Sequence, residues 1–337
     1  MSGEHGGGLR VAVVGATGLV GREIVSLLAE RRTPVADLRL YASDRSAGEE
    51  VDFGEETLRA ERLPRELPDV DLAFLCADAE VSRSLGGDLA ERGAVVVDLT
   101  PAHRSDPATP LLVAGPEASR LDGRGGLLVA LPDAAVLLLA APLQAIRSVT
   151  ALRRVIATVL VSASAFGRRS VEQLGRTSAA LLGGGEPEDG EPRPAVAFSA
   201  VPGVGAESAS RAREVERDLR RVLRIDSPIA VSLVRAPAFH GHAASVSVEI
   251  SPPVAAEELH VALRQAPSVV LDKGGDAATG TREALGSEAV HVGGVRIEPA
   301  DPAWVHFWLA ADNVRQGAAL NAVAVAEALT RSRSGIS

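Results

Sequence analysis

The chain carries a single cysteine, Cys76, so no disulfide can close within it. That scarcity fits a reducing, cytoplasmic setting. Aromatic residues make up only 3% of the sequence, so the core must be built mainly from Val, Leu, Ala and Ile. No apolar run approaches the ~18 residues of a membrane span. Positive charge is also short: 35 Lys and Arg face 44 Asp and Glu, for a net charge of −9. This balance argues against nucleic acid or an anionic membrane as the main partner. The leading MSGEHGGG is polar and Gly-rich and lacks the apolar segment of a signal peptide, so residues 1–9 are expected to form a flexible tail. His240 and His242 are two apart and would share a strand face, but no Cys or Glu cluster completes a metal site. No metal is expected.

What is present is a soluble-type composition, with 46% hydrophobic and 23% charged residues over 337 positions, enough for one large domain or two ordinary ones. From residue 10 to about 140, apolar runs alternate with helix-like segments. Strands are expected at Arg10–Val14, Leu38–Ala42, Asp71–Cys76, Ala94–Asp98 and Leu127–Leu131, with helices at Gly21–Arg31 and Glu80–Arg92. Such alternation implies βαβ units and a parallel sheet covered on both faces. The pattern then changes. Val155–Ser162, Ala230–Val234, Ser245–Ile250, Val290–Ile297 and Trp304–Leu309 are strand candidates without regular helices between them. Ser170–Leu182 and Glu207–Leu223 are the two helices expected in this half. Ser245–Ile250 alternates polar and apolar, as a half-buried antiparallel strand should. A Gly/Pro/Glu-rich loop is expected at Gly183–Pro194, and a last helix from Gly317 to Thr330. Trp304 and Trp308 are read as core packing. The fold class is α/β: an N-terminal Rossmann-like domain over 10–134, then an α+β domain with a mixed or antiparallel sheet over 135–316.

Gly15-Ala16-Thr17-Gly18-Leu19-Val20-Gly21 directly follows the first strand and opens a helix. Glycines there permit a tight turn and close backbone approach to a pyrophosphate, which the helix N-terminus would bind through free N–H groups. The end of the second strand usually decides between the two nicotinamide coenzymes. Here it reads Ala42-Ser43-Asp44-Arg45-Ser46. Arg45, with the hydroxyls of Ser43 and Ser46, suits a 2′-phosphate and favours NADP over NAD, while Asp44 pulls the other way.

These segments, GATGLVG and ASDRSAG, resemble the aspartate-semialdehyde dehydrogenases. Asp98-Leu99-Thr100-Pro101-Ala102-His103-Arg104 is similar to the family's D-x-S-S-x-x-R, and the run from Arg235 to His242 to its R-x-P-x-x-x-G-H. The stretch from Asp312 to Ala322 is similar to D-N-x-R-K-G-A-A-x-N-A, which adds Asn313 as a coenzyme-side residue. The resemblance keeps its order from residue 10 to 330. It implies an NADP-binding domain, a catalytic and dimerising domain, and a C-terminal helix over 317–330 that packs back on the first. It also implies an amino-acid biosynthetic reaction: a cysteine thiolate attacks the aldehyde, hydride passes to NADP, and phosphate cleaves the thioester. By position, Arg104 matches the phosphate-binding arginine, Arg235 the substrate-carboxylate arginine, and His242 the acid–base histidine.

The sequence departs from the family where the chemistry is done. Leu131-Pro132-Asp133-Ala134-Ala135 stands where N-P-N-C-S/T is expected, so Ala134 holds the cysteine position and Asp133 replaces an asparagine. A methyl group cannot form a thioester. Val161 holds the position of the family's glutamine, and Glu214 falls near that of a lysine. Cys76 ends a strand on the coenzyme side and reads as a small buried hydrophobe. The expectation is an NADP-binding protein that keeps the scaffold and the anion-binding arginines but has lost the thiol chemistry. Its ligand would be a small anionic metabolite, and it would form a homodimer, or a heterodimer with an active relative. Two alternatives stay open: an NADPH-dependent reductase of another small aldehyde, using His242 and Arg235, or dehydrogenase activity kept through an unforeseen residue.

Overall fold

A computed structural model describes residues 8–115, 118–121, 125–186, 195–203, 206–273 and 278–331. Most of the expected tail, and the part of the Gly/Pro/Glu-rich loop from 187 to 194, lie outside the described residues. The chain divides into two compact units, residues 1–133 with 318–337, and residues 134–317.

The first unit holds β1 (Leu9–Val14), α1 (Leu19–Glu30), β2 (Val35–Ala42), β3 (Glu50–Phe53), β4 (Glu56–Arg59), β5 (Glu61–Arg62), β6 (Leu72–Leu75), α2 (Ala79–Glu91), β7 (Val95–Asp98) and β8 (Leu127–Ala130). Six strands form one parallel sheet in the order β5-β2-β1-β6-β7-β8. The period of two along β1 sends Val11 and Val13 to one face and Ala12 and Val14 to the other. Val11 and Val13 pack with Ile24 and Leu28 of α1 and with Val323 and Leu329 of the C-terminal helix Leu320–Thr330. Ala12 and Val14 pack with Leu85 and Leu89 of α2. Both faces are therefore buried, which is why these strands read as continuous apolar runs. The C-terminal helix is further tied to this unit by an Arg31–Glu327 ion pair at 2.8 Å and by Asn321 Oδ1, which accepts the Ala114 N–H at 2.7 Å.

The second unit holds α3 (Ala134–Arg147), β9 (Ala151–Val161), α4 (Arg168–Leu182), β10 (Val201–Pro202), α5 (Ala206–Leu223), β11 (Ile229–Arg235), β12 (His242–Ser251), α6 (Ala256–Gln265), β13 (Val269–Leu271), β14 (Val290–Ile297) and β15 (Trp304–Ala311). Its mixed sheet runs β10-β11-β9-β12-β15-β14-β13. Val155, Ala157 and Val159 of β9 join Val246, Val248 and Ile250 of β12 and the helices α3, α5 and α6 in one core. The alternate residues, such as Ile156 and Thr158, face away from that core and are exposed.

Four expectations need correction. Helices α3 and α6 lie between strands where no helix was expected. Helix α3 is apolar around most of its surface and contains Pro142, so its sequence carries no helical period. The hairpin of β3 and β4 was also missed, because its exposed residues leave little alternation to read. The final helix begins as a π turn at Arg315–Ala319 and becomes α-helical only from Leu320. Finally, Trp304 and Trp308 are only half-buried, on the face of β15 opposite buried Val305, Phe307 and Leu309. Trp304 stacks on His306, and Trp308 Nε1 donates to Thr279 O at 3.0 Å.

Candidate functional site

In the first unit the glycine-rich turn has the geometry a nucleotide cradle needs. Gly15 has φ +93°, and a Cβ there would lie 2.7 Å from Cys76 O. A Cβ on Gly21 would lie 2.2 Å from Gly15 O, so only hydrogen lets α1 pack against the turn. Gly18 precedes α1 and uses its N–H on Gly15 O at 3.0 Å, and Leu19 and Val20 begin the helix. Thr17 is buried and donates its hydroxyl to Ser46 Oγ at 3.1 Å, and Ser43 and Ser46 hydroxyls lie 3.3 Å apart. The first turn and the end of β2 are thus joined by a chain of hydroxyls. Arg45 is exposed beside them. Asp44 pairs with Arg62 at 2.6 Å, which offsets its charge.

At the carboxyl ends of β6 and β7 the structure sets two further groups. The Cys76 thiol donates to Val14 O at 3.1 Å, and burial pushes its pKa up to about 12, so it is a neutral thiol at physiological pH. Asp98 is fully buried and accepts the Thr100 N–H at 2.9 Å and His103 Nδ1 at 2.7 Å. This Asp98–His103 pair was not anticipated. The residues are five apart across a turn, and only the buried acid fixes the imidazole. Arg104 is held by two carbonyls, Leu131 O at 2.7 Å from Nε and Leu99 O at 2.8 Å from Nη2. Its Nη1 faces Asp133 Oδ2 at 3.8 Å, so the arginine has a carboxylate of the chain itself opposite it.

In the second unit Ala134 is the first residue of α3. A helix N-terminus lowers the pKa of a thiol placed on it, but a methyl group has nothing to ionise. A Cβ on Gly317 would come within 3.0 Å of the Ala134 Cβ, so the backbone passes close by. Val161 ends β9, is 2% exposed, and stands opposite Arg235, the last residue of β11, in the parallel register. His242 opens β12 and is 1% exposed. Its Nδ1 receives the Ser162 N–H at 3.4 Å and lies 3.2 Å from Ser162 Oγ. Asn313 Oδ1 accepts from Gly241 N at 2.8 Å, Ser164 Oγ at 3.0 Å and Ser162 Oγ at 3.2 Å. Asn313 therefore fixes the loop and the serine that orient His242. The expectation that His240 and His242 share a strand face fails. Gly241, at φ +83°, separates the two, and the strand begins only at His242. Glu214 lies on α5 and accepts the Ser210 hydroxyl at 3.1 Å. Arg235 lies over the ring of Phe166, with Cζ 4.6 Å from its centroid. Arg211, from α5, lies over the same ring at 5.2 Å. Arg211 carried no signal in the sequence, since its meeting with Phe166 is a product of the fold.

Two parallel-sheet and mixed-sheet units carrying these segments define a nucleotide-binding oxidoreductase architecture. Residues 10–123 match the family described as semialdehyde dehydrogenase, NAD binding domain, and residues 142–316 match semialdehyde dehydrogenase, dimerisation domain. The chain is 31% identical to the aspartate-semialdehyde dehydrogenase of Rickettsia conorii, over 95% of this chain and 97% of the relative. It is 35% identical to a USG-1 protein homolog of Pseudomonas aeruginosa, over 96% and 98%. The crystal structure of aspartate semialdehyde dehydrogenase II from Vibrio cholerae, complexed with ASA, superposes with a TM-score of 0.89 at 32% identity, covering 96% of this chain and 98% of that one. The chain belongs to the aspartate-semialdehyde dehydrogenase family.

Proposed function

We propose that this protein binds NADP(H) and a small anionic metabolite but does not run the family's thiol-dependent dehydrogenation. The observation that carries this reading is Ala134 at the head of α3, where the resemblance places the nucleophile. The only thiol of the chain, Cys76, is a poor substitute because burial holds it protonated. Asp133 opposite Arg104 further disfavours phosphate, the second substrate of that reaction.

The coenzyme half supports binding. Gly15 and Gly21 let the turn pack closely against β6 and α1, and the first N–H groups of α1 would meet a pyrophosphate. Ser43, Arg45 and Ser46 would hold a 2′-phosphate, and the exposed Asp44–Arg62 pair offsets part of the charge that opposes it. When bound, the coenzyme supplies hydride chemistry. Arg235 would hold an anionic group of the metabolite. His242, held through Nδ1 by Ser162, is the candidate to donate a proton to a carbonyl oxygen. That last feature favours a second reading, an NADPH-dependent reduction of a small aldehyde that needs no thiol. The dimerisation domain supports a homodimer, with pairing to an active relative as the alternative.

The test is a fluorescence titration of the pure protein with NADPH and with NADH, followed by a turnover assay on the same sample. NADPH binding with preference over NADH, and no phosphate-dependent NADP reduction with aspartate semialdehyde, is the expected result. No binding of either coenzyme would overturn the proposal.

A further inference from the structure

We propose that Ser287, His291 and Asp272 form a second catalytic site, one that hydrolyses small uncharged acyl esters. It lies wholly within the second unit and depends neither on the coenzyme nor on Arg235 or His242. His291 is on β14 between Val290 and Val292. Those two are buried in the core, so the alternation of the strand turns the imidazole to the other face. Its Nε2 lies 3.0 Å from Ser287 Oγ, and its Nδ1 lies 3.4 Å from Asp272 Oδ1. Asp272 follows β13, the parallel neighbour of β14, and donates its N–H to Val292 O at 2.8 Å. Its carboxylate is clamped by Thr279, whose N–H donates to Oδ2 at 2.6 Å and whose hydroxyl donates to Oδ1 at 2.8 Å. The side chains of Asp272 and His291 are 10% and 18% exposed, so the pair is screened from water without being sealed off.

A carboxylate only accepts hydrogen bonds, so the proton between Asp272 and the ring belongs to Nδ1. Nε2 is then an acceptor for the Ser287 hydroxyl, the arrangement that activates a serine. Ala289 O, at 3.4 Å, is the more distant acceptor for that hydroxyl, and the Ala289 N–H donates to Oγ at 3.2 Å. Contacts such as that at Nδ1 are often long without substrate and tighten when it binds. The Glu288 N–H, directly after the serine, makes no hydrogen bond among the described residues and is available to an oxyanion. The Glu288 carboxylate pairs with Arg315 at 3.0 Å. Val270, beside His291 in the parallel register, and Leu285, two residues before Ser287, are exposed, which suits a short apolar acyl group. Ser287 Oγ attacks the ester carbonyl and passes its proton to His291 Nε2, which gives it to the leaving alcohol. Water, deprotonated by His291, then cleaves the acyl-serine, releasing the carboxylic acid and restoring the hydroxyl. Asp272 is the positioning residue.

The test treats the full-length protein, without coenzyme, with diisopropyl fluorophosphate and locates the label by mass spectrometry. A single label per chain, on Ser287, is expected. His291→Gln should slow labelling by at least about a hundred-fold, and Ser287→Ala should abolish it. With p-nitrophenyl acetate as substrate, Asp272→Asn should lower kcat by at least about ten-fold and leave KM unchanged, a split that a general loosening of the fold would not produce. Circular dichroism of each variant separates loss of chemistry from loss of fold, and the wild-type labelling stands whether or not a variant folds. An unlabelled wild-type protein, a label on another residue, or an undiminished rate in folded His291→Gln would overturn the proposal.

Discussion

Replacing Asp133 by Asn should open the Arg104 site to phosphate. Arg104 cannot swing away, because Leu131 O and Leu99 O hold its Nε and Nη2 at 2.7 and 2.8 Å. Its remaining Nη1 faces Asp133 Oδ2 at 3.8 Å, and the two side chains are only 11% and 14% exposed. Unit charges at this range interact by about 4 kcal/mol in a medium of effective dielectric ~20. A phosphate bound to Arg104 would sit somewhat farther from Asp133 and remain partly hydrated, so about half of that, ~2 kcal/mol, opposes its binding. Asn keeps the shape and removes the charge, and ~2 kcal/mol corresponds to an affinity gain of about 30-fold. Calorimetric titration with inorganic phosphate at fixed low ionic strength reads this directly. A gain below about three-fold would refute the idea that Asp133 guards Arg104.

Other consequences follow from the same geometry. Gly21→Ala puts a Cβ 2.2 Å from Gly15 O, a backbone atom that cannot step aside, so NADPH binding should fall by at least about ten-fold and thermal stability should drop. A variant with wild-type coenzyme affinity would show that the turn does not hold the coenzyme. The Cys76 thiol, raised from 9.0 to about 12 in the folded chain, favours the fold fully below about pH 9. That contribution should fade as pH rises from 9 towards 12, where the unfolded thiol ionises first. Denaturant midpoints of wild type and Cys76→Ala measured across that range should therefore converge with rising pH. A difference that stays constant would argue that the thiol titrates normally.

Much of the fold could be read from the chain because the physics there is local. The strands of the first unit are buried on both faces, so each is an apolar run, and the glycines at 15 and 21 mark backbone contacts that no other residue permits. Elements failed to show where burial erased the pattern, as in α3, or where exposure did, as in the β3–β4 hairpin. The site divides in the same way. Ala134, Val161, Arg104, Arg235 and His242 were assigned by their place in ordered motifs. The hydroxyl chain from Thr17 to Ser46, the Asn313 bonds that orient Ser162, and the Asp98–His103 pair depend on side-chain direction, which spacing does not give. Arg211 meets Phe166 from a different element 45 positions along the sequence, a meeting that spacing does not foretell.

The most direct test of the central claim is the rate of phosphate-dependent NADP reduction by the wild-type protein with aspartate semialdehyde, on a preparation already shown to bind NADPH. No turnover above the uncatalysed rate is expected, since Ala134 offers no nucleophile. Clear wild-type turnover would contradict the account, and would mean that another residue takes the part assigned to the missing cysteine.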